Sequence, residues 1–276
     1  GSGTAPILWW EEFFTDRKLQ AIIRTALDNN RDLRLAALNV ERVQALYGVQ
    51  RASLFPSVDA TGGMSRERVP ADLSTSGKSY ISEKDSLSVG IASWEIDFFG
   101  RIRSLKDQAL QEYLATEQAR RSAQISLVSS IAGAYLTLAA DRGNLELARS
   151  TLDAQQAAYT LIQKRYDVGM ATELDLRRAQ TQVEAARGSV ARYTQLTAQD
   201  RNALDLLAGS PVPEGLLPAN LGGVIPPEDI SPGLSSEVLL RRPDIMAAEH
   251  RLKGAYAYIG AARAALFPRI SLTTSV

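Results

Sequence analysis

The sequence predicts a mainly α-helical protein with a small β part, organised as an internal tandem repeat around one long antiparallel coiled-coil hairpin. Three observations carry that prediction. Apolar residues recur at heptad spacing along two arms between Gln124 and Ala208. The hydrophobic period changes from helical to alternating after Pro56. Residues 29–61 return without a gap at 241–273, so one structural unit starts twice.

Residues 1–28 form an aromatic segment and a short helix. Trp9, Trp10, Phe13 and Phe14 alternate with Glu11 and Glu12, a density suited to anchoring across other elements. Leu19, Ile22, Ile23, Ala26 and Leu27 then share one helical face, and Asn29-Asn30 breaks the helix. Gly1-Ser2-Gly3 reads as a cloning remnant, which leaves room upstream for a native targeting or lipid-attachment signal. Residues 29–56 are the first repeat's opening helix, expected to start near Asp32, with Leu33, Ala36, Ala37, Val40, Val43, Tyr47 and Leu54 as its stripe. Pro56 ends it.

Residues 57–96 read as a β-hairpin. Val58, Ala60, Gly62 and Met64 fall on one face, and Asp59, Thr61, Gly63 and Ser65 on the other. Leu87, Val89 and Ile91 alternate with Ser88, Gly90 and Ala92 on the returning strand, and a polar loop is expected over 66–84. Trp94, Phe98 and Phe99 mark the exit, and Gly100 precedes the next helix.

Residues 101–208 are the hairpin. Ile131, Leu138, Leu145, Leu152, Tyr159 and Tyr166 recur along its first arm, which contains no proline from Ile102 onward and would span roughly 95 Å. Leu176, Val183, Val190, Thr197 and Leu204, flanked by Ala179, Ala186, Tyr193 and Leu207, form the second arm. Such spacing keeps a stripe of each helix toward a partner. The reversal is expected near 167–172, with Gly169 free to take the left-handed conformation that stops a helix. Gly209-Ser-Pro211 ends the return arm, and residues 209–233, rich in proline, read as an extended linker.

Residues 234–276 begin the second repeat with a helix and one strand. Arg51, Leu54, Phe55 and Pro56 return as Arg263, Leu266, Phe267 and Pro268. A second copy holding only its opening implies roughly the N-terminal three-fifths of a longer protein.

Acidic and basic residues balance at 31 each, so bulk charge gives no reason to expect nucleic acid as a partner. The chain has no cysteine and one histidine, His250, whose counterpart in the first repeat is Leu38. Asp97-Phe-Phe-Gly100 matches half of a nucleotide switch without a phosphate loop. No catalytic or metal-ligand spacing is found and no cofactor is expected, which argues against an enzyme. No apolar run is read as a membrane-spanning helix, a reading that leaves a membrane β-barrel open.

Several ordered segments carry a resemblance. They include Asn30-Arg-Asp-Leu33, Gln50-Arg-Ala-Ser-Leu-Phe-Pro56, Trp94-Glu-Ile-Asp-Phe-Phe-Gly-Arg101 and Tyr113-Leu-Ala-Thr-Glu-Gln118. Tyr166-Asp-Val-Gly169, Leu174-Asp-Leu-Arg177, Arg241-Arg-Pro-Asp-Ile245 and Gly260-Ala-Ala-Arg-Ala-Ala-Leu-Phe-Pro268 complete the set. In order and spacing the chain resembles the TolC-like outer-membrane factor family of Gram-negative bacteria, the exit ducts of tripartite efflux pumps. The resemblance implies a homotrimer sharing an outer-membrane β-barrel in contact with lipid, helices joined in a periplasmic α-barrel, and an equatorial belt. It implies partnership with a periplasmic adaptor and an inner-membrane transporter. It places Gly169 at the periplasmic tip, with Asp175 the first choice for gate electrostatics beside Asp167 and Thr172. Glu173, Arg177 and Arg178 are the adaptor-facing candidates. The rival reading is a periplasmic adaptor or coiled-coil scaffold that presents the hairpin.

Overall fold

The computed structural model describes residues 10–226 and 236–275. Trp9 of the aromatic run, and Pro227 and Pro232 of the linker, lie outside them. The chain divides into two compact units, residues 1–38 with 119–243 and residues 39–118 with 244–276.

In the first unit, α1 (Trp10–Phe13) leads into α2 (Arg17–Asn29). Asp16 caps α2 by accepting the backbone N–H groups of Lys18 and Leu19. Leu19, Ile22, Ile23 and Ala26 are buried against Leu127, Val128, Ile131, Tyr135 and Leu138 of α4 (Arg101–Asp167). Leu204 and Ala208 of α5 (Glu173–Ala208) complete that core from the returning helix. Tyr135 is buried with its hydroxyl 3.4 Å from Asp16 Oδ2. Burial and the Asp16 carboxylate beside it push the phenol up to about 12, so it stays protonated.

The uncharged run 122–140 of α4 corrects one reading, because α4 does contain a stretch long and apolar enough to cross a membrane by length and composition. Much of that hydropathy serves the core of this unit. Leu127, Val128, Ile131, Ala132, Tyr135, Leu138 and Ala139 are buried there. Past them the heptad stripe continues half-buried at Leu145, Leu152 and Tyr159, facing the stripe of α5 with its buried Leu176, Val183 and Ala186.

The linker reading is corrected too. Residues 211–226 carry two short 3-10 turns, Glu214–Leu216 and Leu221–Gly223. Val212 and Leu217 are buried in the core just described. Arg142 of α4 and Arg201 of α5 both reach Glu214, and Arg142 also donates to the Pro218 carbonyl. Proline sets the backbone direction here, but buried apolar side chains and a shared carboxylate hold it.

α3 (Arg31–Ala52) begins one residue before Asp32, with Asn30 as the residue that organises its start. Asn30 Oδ1 accepts the Leu33 N–H, and its Nδ2 donates to the Leu207 carbonyl at the end of α5. One side chain therefore serves the start of one helix and the end of another.

In the second unit, β1 (Asp59–Val69), β2 (Tyr80–Glu95) and β3 (Ser271–Ser275) form an antiparallel sheet in that order. The strands run further than the alternation suggested, leaving a turn region of only 70–79. Arg66 stands opposite Glu83 in the ladder and its guanidinium lies 2.8 Å from the Glu83 carboxylate. The ladder thus continues, with this exposed charge pair across it, through residues that composition marked as loop. α6 (Pro243–Ala264) precedes β3 and buries Ala247, Gly254, Ala261 and Ala264. Six residues, Ser236–Arg241, form a 3-10 helix ahead of it.

Candidate functional site at the hairpin tip and on the strand faces

The hairpin reverses through a tightly hydrogen-bonded turn. The Met170 N–H reaches the Arg165 carbonyl at 2.8 Å, and the Gly169 N–H reaches the Tyr166 carbonyl at 2.9 Å. Gly169 has φ +78°, so this is the paired C-terminal closure for which a left-handed glycine is suited. Thr172 caps the return helix in a reciprocal box. Its Oγ1 accepts the Asp175 N–H at 3.2 Å, while Asp175 Oδ2 accepts the Thr172 N–H at 3.1 Å. The Thr172 hydroxyl also lies 2.6 Å from Asp175 Oδ2, with the hydroxyl as donor.

Those bonds set the charge at the tip. The Thr172 hydroxyl first, its backbone N–H second, and the Arg178 and Arg165 fields hold the exposed Asp175 carboxyl below the usual carboxylate range. Asp167 does not join this box; its carboxylate accepts from Gln163 Nε2 at 2.9 Å on the preceding turn of α4. Glu173 and Arg177 pair with each other one helical turn apart, and Arg177 also donates to Gln180. Of the tip residues singled out by sequence, the structure joins Thr172 with Asp175 and Glu173 with Arg177. Val168, Met170 and Leu174 lie exposed among them, an apolar contribution that the sequence reading passed over.

The strands present two unlike faces. Ala60 pairs with Val89, Gly62 with Leu87, and Ile91 with Thr274, and after a bulge Trp94 pairs with Leu272. Met64 and Leu87 on this face are each 79 % exposed within the chain. The other face pairs Thr61 with Ser88, Gly63 with Ser86 and Ser65 with Lys84. Thr61 Oγ1 and Ser88 Oγ are 2.6 Å apart there. The apolar character of the first face is confined to the end of the ladder near Ala60, Gly62, Leu87, Val89 and Ile91, since Met64 stands opposite Asp85 and the next pair on that face is Arg66 with Glu83.

The junction after β2 explains Asp97-Phe-Phe-Gly100 without a nucleotide. Asp97 accepts the Ile102 and Arg103 backbone N–H groups, both at 2.9 Å, and so caps α4. Burial opposes its ionisation, but those two bonds and the Arg103 guanidinium outweigh it and hold the carboxyl below its ordinary range. Gly100 has φ +79° in the same turn. The repeat-motif residues sit at matching turns. Leu54 and Phe55 close the end of α3 on the Arg51 and Ala52 carbonyls, and Leu266 and Phe267 close α6 on those of Arg263 and Ala264. Pro56 and Pro268 follow each turn. His250 Nδ1 lies 2.7 Å from Gln111 Oε1, a packing contact between α6 and α4.

One pair escaped the sequence reading altogether. Asp200 of α5 lies beside Asp141 of α4 in the hairpin seam, and its Oδ2 is buried without a hydrogen-bond partner, as is Thr197 Oγ1 one turn earlier. Burial first, and Asp141 second, raise the Asp200 carboxyl above its ordinary value.

The strand pair and the capped hairpin of two long helices are matched together by one family model. The chain belongs to the outer membrane efflux protein family, whose model matches residues 22–210 and 234–276. It is 48 % identical over 266 residues to the probable efflux pump outer membrane protein TtgC of Pseudomonas putida, covering 96 % of this chain and 55 % of the relative. Outer membrane protein OprJ of Pseudomonas aeruginosa is 43 % identical over 268 residues, covering 96 % and 56 % respectively. The open state of the MtrE outer membrane channel of Neisseria gonorrhoeae superposes with a TM-score of 0.84 at 39 % identity, covering 100 % of this chain and 61 % of that one. The chain thus spans a little over half the length of the curated relatives it matches.

Proposed function

We propose that the protein to which this chain contributes is the outer-membrane exit duct of a tripartite efflux pump in a Gram-negative bacterium. It conducts drugs or other small molecules passively from periplasm to exterior when docked to a periplasmic adaptor and an inner-membrane transporter. The observation that carries this reading is the sheet, with Met64 and Leu87 bare on one face and Thr61 bonded to Ser88 on the other. A water-soluble scaffold has no use for such a face, whereas a barrel wall requires it. The family match and the relatives' roles as efflux components support the same reading.

In this function the copies of the protein form a homotrimer. Residues 57–96 and the strand Ser271–Ser275 contribute to the shared barrel, and 101–208 are the periplasmic staves. Residues 1–28 belong to the equatorial belt. Transport through a preformed lumen needs no covalent chemistry, so the polar groups serve to tune passage rather than to react. The tip formed by Asp167, Gly169, Thr172 and Asp175 serves as the gate, and Asp175 repeated by symmetry makes an acidic ring at the mouth. Glu173, Arg177 and Arg178 present polar contacts to the adaptor.

Purified protein from the complete reading frame, reconstituted in planar bilayers, should give cation-favouring single-channel currents. A strain lacking the gene should accumulate pump substrates. A protein that stays water-soluble without detergent and gives no channels would exclude the duct.

A further inference from the structure

The β1–β2 ladder continues past its apolar end, and the face that carries Leu87 changes character there. Met64 stands opposite Asp85, then Arg66 opposite Glu83, then Arg68 opposite Ile81. Residues two apart on one strand share a face, so two guanidinium groups stand one above the other. The reverse face at the same height pairs Ser65 with Lys84 and Glu67 with Ser82, without two neighbouring cations.

These arginines are not used up within the chain. Arg66 reaches Glu83 at 2.8 Å through one terminal nitrogen, and its side chain is 69 % exposed. Arg68 faces an apolar residue across the ladder and makes no ion pair among the described residues.

Position along the strand says what this charged band meets. α3 and α4 join the opposite end of the ladder, so the turn at 70–79 is the end remote from the helices. From Trp94 to Asp85 the strand rises roughly 30 Å. At a barrel's tilt that length covers an apolar band about 25 Å tall. Trp94 then lies at the inner interface, where indole rings collect, and Arg66 and Arg68 stand just beyond the outer one.

We propose that this band is a docking surface for the phosphorylated glycolipid headgroups of the membrane's outer leaflet. Arg68 takes a phosphate group outright, and Arg66 divides its donors between Glu83 and a second phosphate oxygen. The guanidinium fork suits phosphate and holds its charge at every relevant pH. Glu83 and Asp85 offset part of the attraction and meet the divalent cations that such a phosphate layer carries. The contact fixes the height at which the strands sit in the bilayer. This inference rests on the barrel reading above and adds its outer boundary and the lipid found there.

Lipid titration tests it on the detergent-purified product of the complete reading frame. Bisphosphorylated lipid A should raise the thermal midpoint, and the same lipid stripped of its phosphates should raise it less. The double variant Arg66→Ser with Arg68→Ser should bind the phosphorylated form about tenfold more weakly or worse. Lys84→Ser, on the reverse face, should bind it as the parent does. The proposal is overturned if the parent binds both lipid forms equally, or responds to phosphatidylglycerol as strongly as to lipid A. It is equally overturned if the double variant binds as the parent does. The two-lipid comparison on the parent decides the matter even if the double variant fails to assemble. Planar bilayers keep the two readings apart. A parent that conducts but ignores lipid phosphate removes the headgroup site alone, whereas a parent without channels removes the duct.

Discussion

At the scale of single residues, one carboxylate governs the tip and one glycine the far end of α5. Because Thr172 holds the Asp175 carboxyl below its ordinary 3.8, the charge persists through neutral and mildly acidic solution. Its contribution is present above the unfolded value and is lost only as pH falls through the lowered folded one. Asp175→Ala in the complete protein should raise basal conductance in planar bilayers across that range. Conductance equal to the parent's would remove Asp175 from the gate. The geometry also makes Asp175 a helix-start charge, through the reciprocal box with Thr172. Heptad spacing shows that a cap is needed, but which atoms meet depends on the turn's dihedral angles. Gly209 is the other decisive residue. At φ +73° its α-carbon faces the backbone of Asn29, so a methyl group there would overlap that chain. Gly209→Ala should destabilise the fold by about 2 kcal/mol or more, read as a lower thermal midpoint.

At the scale of elements, the α4–α5 seam carries a strained carboxyl pair. Asp200 is raised by burial and by Asp141, so its ionised form is the one that folding disfavours. That cost is fully present above the raised folded value and fades as pH falls toward the ordinary 3.8. Stability of the hairpin should therefore increase on acidification from neutrality toward about pH 4. Asp200→Asn should raise the neutral-pH midpoint and flatten this dependence, checked by circular dichroism melts at two pH values. A lower midpoint at pH 7 would contradict the account. Sequence found the stripes of both helices, since Ile131 and Leu138 of α4 and Val183 and Leu204 of α5 are buried where the heptad put them. It did not find Asp141 and Asp200, because a polar pair at a seam follows from the register between helices and leaves no periodic trace.

For the whole molecule, the proposed barrel role is tested on the exposed apolar end of the sheet. Leu87→Arg places a charge where the proposed barrel meets lipid, at a cost of about 2–4 kcal/mol near the bilayer centre. The measured consequence should be loss of outer-membrane assembly without loss of helical signal. Ser88→Arg, on the polar face, should assemble and alter conductance instead. If both variants assemble equally well, the two faces do not have these roles.

By itself, the sequence determined the element types, the hairpin with its reversal at Gly169, the alternation of the strands and the repeat. All of these are local periodicities or backbone preferences written in consecutive residues. Only the tertiary structure decided that Asn30 joins the start of α3 to the end of α5, that residues 211–226 pack through Val212 and Leu217, and that β3 docks on β2 across a bulge. It also showed that Phe267 has a stacking partner while Phe55 stands bare. Those outcomes depend on which surfaces meet across long separations in the chain, and the chain's order alone does not contain that information.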